Sequence, residues 1–412
     1  MEFEKTDDEV LIGVDGGATE VRGCEVVLLP RRSSAEGGEE GPTLALGAAS
    51  AACLYDRARG FRPLPMASQV LAAERGKIQP TGMEGAQGRL WLEAGARVIL
   101  AVASETGKSR ARIGVCMPGL KTPDGRGLAV IRNGPRIPDY LDRLQGMLAS
   151  AGLSLARPIA RLSSDGEACA YGEEMNAQGA LRGVACVYFL GGGTGIAEAL
   201  KIEGKILGLD ALRGFLRKAW QMESEGGRNV EDLLSPRGMN AAFAQAARKK
   251  LPLEASDFPE RRAAQGDEHA VNVLRRAAEA LAELVVDRML ALRHGFQGSE
   301  KSPGKASADR GKPKILPSTF LGRIVVGQRL GVILAEPELH GLFRGPAEEA
   351  LARRIVTTGD GALRKHYLEG SRLRPGLLAA SLLRAAPAIG AAAIEVLDAG
   401  AELREETAPP PF

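Results

Sequence analysis

The chain is 412 residues long and 44% hydrophobic, with 54 Lys and Arg against 51 Asp and Glu, for a formal net charge of +3. That length exceeds the roughly 250–300 residues at which one core usually divides, so two lobes are expected. The basic residues are scattered and form no stripe, which argues against nucleic acid as a partner. The acidic start MEFEKTDDEV and the lack of a bilayer-length apolar run predict a soluble, cytoplasmic protein with no membrane partner.

Residues 10–14 and 21–29 are apolar and rich in β-branched side chains, and they flank Asp15-Gly16-Gly17-Ala18-Thr19, the pattern of a strand hairpin. Residues 30–42 read as a polar surface loop, and 88–104 return to a helical period. A strand at 112–116, a helix at 140–151, a strand at 159–162 and a helix at 166–176 follow, an alternation that marks an α/β sheet. A second strongly apolar strand at 183–190 leads into Gly191-Gly192-Gly193-Thr194-Gly195, a strand at 196–202 and a short one at 206–207, so the opening hairpin recurs in altered form. Helical periods cover 229–249 and 268–294. Residues 297–314 are polar, rich in Gly, Ser and Lys, and read as a mobile surface insertion. A strand at 323–326 then runs into Gly327-Gln328-Arg329-Leu330-Gly331, the Ala-rich stretch 376–397 closes the fold as a helix, and 398–412 are expected to be disordered.

The five cysteines, Cys24, Cys53, Cys116, Cys169 and Cys186, are widely spaced and far in sequence from the four histidines, His269, His294, His340 and His366. Free thiols in a reducing compartment account for them, and no zinc ligand set is visible.

Three glycine turns carry the chemistry. In the first, Gly16 and Gly17 let backbone N–H groups approach a polyphosphate, Thr19 adds a hydroxyl, and Asp15 can hold Mg²⁺ through its water shell. The same Asp-Gly is also the usual sequence of an ordinary two-residue hairpin turn. The second turn, Gly191 to Gly195, spends more glycine than a hairpin needs, which favours close approach of a ligand over a bulge. The third, at Gly327 and Gln328, can let an adenine and ribose lie against the backbone, although strand-to-helix loops commonly carry glycine. Asp165 stands where a strand ends and a helix begins, a position at which open α/β sheets place ligands and from which a carboxylate can act as general base. Ser164 and Glu167 around it have capping-box spacing, so the segment also reads as a well-capped helix start.

With these elements in this order, the sequence resembles the ROK family of bacterial sugar kinases, within the sugar kinase/actin/Hsp70 superfamily, from about residue 10 to 397. The resemblance implies an α/β, two-lobed, actin-like ATPase fold of ribonuclease H-like domains around a central cleft. Its small lobe would be 1–182 plus the C-terminal helix, and its larger lobe 183–375. It further implies ATP and Mg²⁺ as cofactors and phosphate binding by Asp15, Gly16, Gly17, Ala18, Thr19, Gly191, Gly192, Gly193, Thr194 and Gly195. Adenosine would be bound by Gly327 and Gln328, sugar hydroxyls by Asn133, Ser164 and Asp165, with Asp165 as the catalytic base; a small-molecule sugar would be the partner, and a homodimer is left open. Two features of the family are missing: its Glu-x-Gly-His sugar motif and its zinc-holding cysteines fall where this chain reads GLDALRGFLRKAWQMES. No helix-turn-helix segment precedes the first strand, which disfavours a repressor. The expected activity is transfer of the ATP γ-phosphoryl group to a hydroxyl of a hexose or related sugar; the rival is a nucleotide switch or sugar sensor of the same fold that transfers nothing.

Overall fold

The computed structural model describes residues 8–30, 43–213, 215–295 and 318–407. The chain divides into two compact units, Met1–Gly179 with Ala385–Phe412, and Ala180–Arg384.

The first unit is built on β1 (Glu9–Gly16), β2 (Glu20–Leu29) and β3 (Thr43–Leu54), followed by α1 (Met66–Glu74), α2 (Gly82–Thr106) and β4 (Arg110–Met117). Then come β5 (Leu120–Lys121), β6 (Leu128–Val130), α3 (Tyr140–Ser150), β7 (Ser154–Leu155), β8 (Leu162–Ser164) and α4 (Asp165–Met175). Its main sheet runs β3-β2-β1-β4, with β7 and β8 both beside β4. The β1–β2 and β2–β3 pairs are antiparallel, whereas β1–β4 and β4–β8 are parallel. Val10, Ile12 and Val14 bury one face of β1 against α2, whose Trp91, Leu92, Val98, Ile99 and Val102 supply the same core. The other face is covered by the C-terminal helix Ala386–Thr407, which approaches so closely that a Cβ at Gly13 would overlap the carbonyl oxygen of Ala388.

The second unit contains β9 (Val187–Gly192), β10 (Ile196–Ile202), β11 (Lys205–Gly208), α5 (Val230–Leu234), α6 (Pro236–Ala246), α7 (Pro259–Ala264) and α8 (Glu268–His294). It continues with β12 (Arg323–Gly327), α9 (Gln328–Ala335), α10 (Gly345–Thr357), α11 (Gly361–Tyr367), the small hairpin β13 (Leu368–Glu369) and β14 (Arg372–Leu373), and β15 (Leu378–Ala380). The C-terminal helix Ala386–Thr407 is α12. The sheet order is β11-β10-β9-β12-β15, with antiparallel β9–β10 and β10–β11 and parallel β9–β12 and β12–β15. Order and sense match those of the first unit, so each unit is ribonuclease H-like and the architecture is duplicated.

Several boundaries differ from the sequence reading, each for a local reason. The strand β3 goes unread because its sequence TLALGAASAACL is mostly small residues with little strand preference, and only pairing with β2 makes it a strand. Helix α2 begins at Gly82, ahead of residue 88, because Thr81 and Glu84 form a complete capping box. The strand expected at 159–162 is the three-residue β8, which begins at Leu162, where the expected strand ends. The period read over 229–249 is two helices, since Ser235 caps a new helix with Pro236 at its first turn. The closing helix starts at Ala386, because 378–380 form the fifth strand of the second unit, and it runs to Thr407, into the tail expected to be disordered. The loop at 31–42 and the insertion at 297–314 lie outside the described residues. All five cysteines are free, with Cys24, Cys116 and Cys169 buried. Among the described residues, no helix is long and apolar enough to cross a membrane.

Candidate functional site

In the first unit the site residues collect at the carboxyl ends of its parallel strands. Asp15 pairs in register with Cys116 on β4, and Cys116 with Ser163 on β8, so Asp15, next to the last residue of β1, and Asp165, the residue after β8, belong to strands on either side of β4. Asp15 and Gly16 are therefore strand residues, and the turn is Gly17-Ala18-Thr19; the two-residue Asp-Gly turn does not form. The Cys116 thiol donates to Asp15 Oδ1 at 3.8 Å. Burial first, and the charge of Asp165 second, push the Asp15 carboxyl up to about 6 against the opposing pull of Arg22 and the Cys116 hydrogen bond, with Glu20 adding a small upward push. Two carboxylates close enough to disfavour each other's ionisation are relieved by a cation between or beside them. Asp15 fits the role of a water-shell Mg²⁺ contact on that ground, since Mg²⁺ needs only one or two carboxylates besides its nucleotide.

Asp165 is the first residue of α4, half-buried, and its Oδ1 accepts the N–H of Gly166 at 3.0 Å. The capping box read around it forms only in part. Ser164 Oγ accepts the N–H of Glu167, but the Glu167 carboxylate turns to Arg161, which also reaches Asp398 on α12. Ser164 is 7% exposed and serves as the helix cap, which fixes where Asp165 begins the helix. Helix α12 holds the same region from behind. A Cβ at Gly390 would overlap the carbonyl oxygen of Ala168 on α4, and the carbonyl of Pro387 accepts the Cys116 thiol at 3.8 Å.

Asn133 is exposed on a loop whose backbone is held from beneath. The Gln69 side chain on α1 both accepts the N–H of Ile131 and donates to its carbonyl, at 2.8 and 3.0 Å. Arg136 forks onto Glu84 at the start of α2, with contacts of 2.8 and 2.7 Å, and donates to the carbonyl of Gln79. Gly134 lies against Trp91, where a Cβ would overlap the indole ring. Trp91 in turn stacks on Tyr55, at 4.3 Å between ring centroids, and the Tyr55 N–H donates to the carbonyl of Thr19. An unbroken chain of contacts thus joins the first glycine turn to the Asn133 loop.

In the second unit β9 includes Gly191 and Gly192, the turn is Gly193-Thr194-Gly195, and Gly193 N–H closes it on the carbonyl of Gly195 at 3.1 Å. Gly327 pairs with Gly191, and the next residue, Gln328, has a left-handed backbone at φ 57°. A Cβ at Gly191 or at Gly193 would stand 3.0 Å from Gln328 Oε1. The second and third glycine turns are therefore one local structure, with the Gln328 side chain lying against the turn. None of the glycines in the first two turns has a left-handed φ, so backbone strain does not explain them. Gly195 has Glu231 beside it, whose carboxylate accepts the N–H of Ile196 at 3.3 Å. Arg329, next to Gln328, packs its guanidinium 3.9 Å over the Phe258 ring and forks onto Glu260.

Sequence reasoning missed Cys116, Gln69, the Glu84–Arg136 pair and the Tyr55–Trp91 stack. Only one left a signal: Thr81-Gly-Met-Glu84 has capping-box spacing, although nothing local shows that Glu84 also takes Arg136. Among the described residues, no group of three or more His, Cys, Asp or Glu is placed to hold a metal.

The duplicated ribonuclease H-like topology, with glycine hairpins at equivalent positions of both sheets, places the chain in the fold class shared by sugar kinases, actin and Hsp70. No protein-family model matches the sequence, and no curated protein matches it. Among solved structures, the ROK hexokinase from Thermus thermophilus is similar at 20% identity, covering 94% of this chain and 99% of that one, with a TM-score of 0.49. A ROK family glucokinase from Streptomyces griseus, in complex with glucose and AMPPNP, is similar at 16% identity over 93% and 98% of the two chains, with a TM-score of 0.48. A ROK family transcriptional regulator, a homologue of the E. coli MLC protein, is similar at 11% identity over 95% and 82%, with a TM-score of 0.42.

Proposed function

We propose that this chain is an ATP-dependent sugar kinase of the ROK type that transfers the γ-phosphoryl group to a hydroxyl of a hexose or related sugar. The observation that supports it most is the placement of Asp15 near the carboxyl end of β1 and of Asp165 immediately after β8, the two strands that pair in parallel with opposite edges of β4. A metal-facing carboxylate and a helix-opening carboxylate at one end of a sheet are what phosphoryl transfer to an alcohol requires. One organises the charge of the nucleotide, and the other takes the proton of the attacking hydroxyl.

Gly16, Gly17, Ala18 and Thr19 offer backbone and hydroxyl donors to phosphate, as do Gly191, Gly192, Gly193, Thr194 and Gly195 in the second unit. Gly327 and Gln328 take the adenosine. Asn133, on its braced loop, binds a sugar hydroxyl, and Asp165 accepts the proton of the hydroxyl that attacks. Mg²⁺, when bound with ATP, neutralises phosphate charge; Asp15 orients its water shell. Rate comes mainly from positioning and fixed dipoles.

A second reading is favoured by one observation: residues 208–224 carry neither Glu-x-Gly-His nor any cysteine. A sensor or switch that binds ATP and a sugar without transfer would keep the glycine turns and dispense with a fully equipped acceptor site. Purified protein assayed for ADP release across a panel of sugars, alongside calorimetric ATP binding, separates the two. Sugar-dependent ADP release supports the kinase; ATP binding with none from any sugar supports the switch.

A further inference from the structure

The second unit buries a charged pair. Arg288 on α8 is 0% exposed and Glu198 on β10 is 6% exposed. Glu198 Oε1 accepts from Arg288 Nη2 at 2.7 Å and from the Tyr188 hydroxyl on β9 at 2.8 Å, while Oε2 accepts the backbone N–H of Ala219 at 2.8 Å. Arg288 Nη2 also donates to the carbonyl of Arg217 at 2.6 Å, and Nη1 donates to Asp287 at 2.6 Å and reaches Met222 Sδ at 3.7 Å. The segment 217–222, which contains the short 3₁₀ turn Ala219–Gln221, is thereby gripped at a carbonyl, an N–H and a thioether. Its other side is tied to the start of α5, where Asn229 Nδ2 donates to the carbonyl of Trp220 at 2.7 Å and Val230 N–H to that of Met222 at 3.0 Å.

A buried ion pair is a poor way to gain stability, because apolar residues of the same volume commonly do as well or better. What apolar residues cannot supply is direction: an acceptor aimed at one peptide N–H and a guanidinium nitrogen aimed at one carbonyl. We propose that Arg288 and Glu198 are positioning residues that fix the backbone of residues 217–222 onto β9 and β10, the strands of the second glycine hairpin. The consequence rests on the kinase reading above. This stretch stands where the family it resembles has its sugar motif and cysteine cluster, and here the ion pair anchors a segment that contains no cysteine or histidine.

The test replaces the network with apolar residues, Tyr188→Phe/Glu198→Met/Arg288→Met, and separately makes Arg288→Lys, which keeps the charge opposite Glu198 but replaces the two terminal guanidinium nitrogens with one ammonium on a shorter side chain. Amide hydrogen exchange is followed across the full chain, with AMP-PNP and Mg²⁺ binding measured by calorimetry. In both variants the amides of 217–222 are expected to exchange at least about tenfold faster while those of β9 and β12 keep their protection. Nucleotide affinity should stay within about twofold of the parent. If the parent turns over a sugar, its acceptor KM rises at least about tenfold in the variants with the ATP KM unchanged. Parental protection of 217–222 in either folded variant, or a loss spread evenly over the second unit, overturns the proposal. Should the apolar variant fail to fold, Arg288→Lys decides alone. A parent that binds no nucleotide removes the kinase reading and leaves the exchange result to judge the anchoring.

Discussion

Leu330 lies directly against Gly192: a Cβ at that glycine would overlap Leu330 Cγ, so glycine there meets a packing demand of α9 whatever the turn binds. One residue on, at Gly193, the nearest atom to an added Cβ is Gln328 Oε1 at 3.0 Å, the end of a flexible side chain. Neighbouring glycines in one motif therefore answer to different constraints, and only the second can report on a ligand.

Gly192→Ala is expected to destabilise the second unit by about 1–3 kcal/mol through overpacking, and to cost less in a Leu330→Ala background, where the overlapping side chain is gone. Gly193→Ala should melt with the parent and yet weaken ATP binding by at least about tenfold, by placing a methyl group where phosphate oxygens approach. Thermal melts paired with calorimetric ATP titration check both. Parental ATP affinity in Gly193→Ala would remove the second turn from phosphate binding.

Replacing Asp165 by Asn removes the proton acceptor while preserving shape. Sugar-dependent ADP release should fall by at least about a hundredfold, the low end of what loss of a general base costs, with ATP affinity little changed. Because Asp165 also raises the Asp15 carboxyl, the same variant should lower the Asp15 pKa from about 6 without returning it to 3.8, since burial is the larger cause. Turnover near that of the parent would take Asp165 out of the mechanism.

Glu84 and Arg136 are both buried, and the pair carries the Asn133 loop. Burial opposes ionisation of Glu84, but the hydrogen bonds from Arg136 and from Thr81 N–H outweigh it and hold the carboxyl below its ordinary 4.5. A carboxyl depressed in the folded state stabilises at pH above 4.5, and that contribution is lost as pH falls through the lower folded value. Glu84→Gln strands a buried guanidinium and should cost on the order of 3 kcal/mol at pH 7, with a smaller difference from the parent at pH 3 to 4. Chemical denaturation at both pH values gives the comparison; an equal loss at each would mean that the pair's charge is not what holds the loop.

ADP release should require Mg²⁺ and survive a zinc-selective chelator, given the absence of a Cys/His ligand set in the sequence. Stoichiometric zinc in tag-free protein, or unfolding on chelation, would contradict this.

The parts whose physics is local are legible in the amino-acid sequence. The apolar strands around each glycine turn, the 27-residue period of α8 and the strand-to-helix junction at Asp165 can all be read from a few adjacent residues, because side-chain periodicity and turn chemistry act over short range. Tertiary structure alone decided the rest. It made an alanine-rich stretch into β3 by giving it β2 as a partner, and it turned 378–380 into a sheet edge and not the start of a helix. It set Asp15 level with Cys116 and Ser163, and it joined the second and third turns through Gln328. It closed Arg288 onto a carbonyl 71 residues away in sequence. Such pairings depend on strand register and on which charges are excluded from water together, and neither is encoded in any single segment.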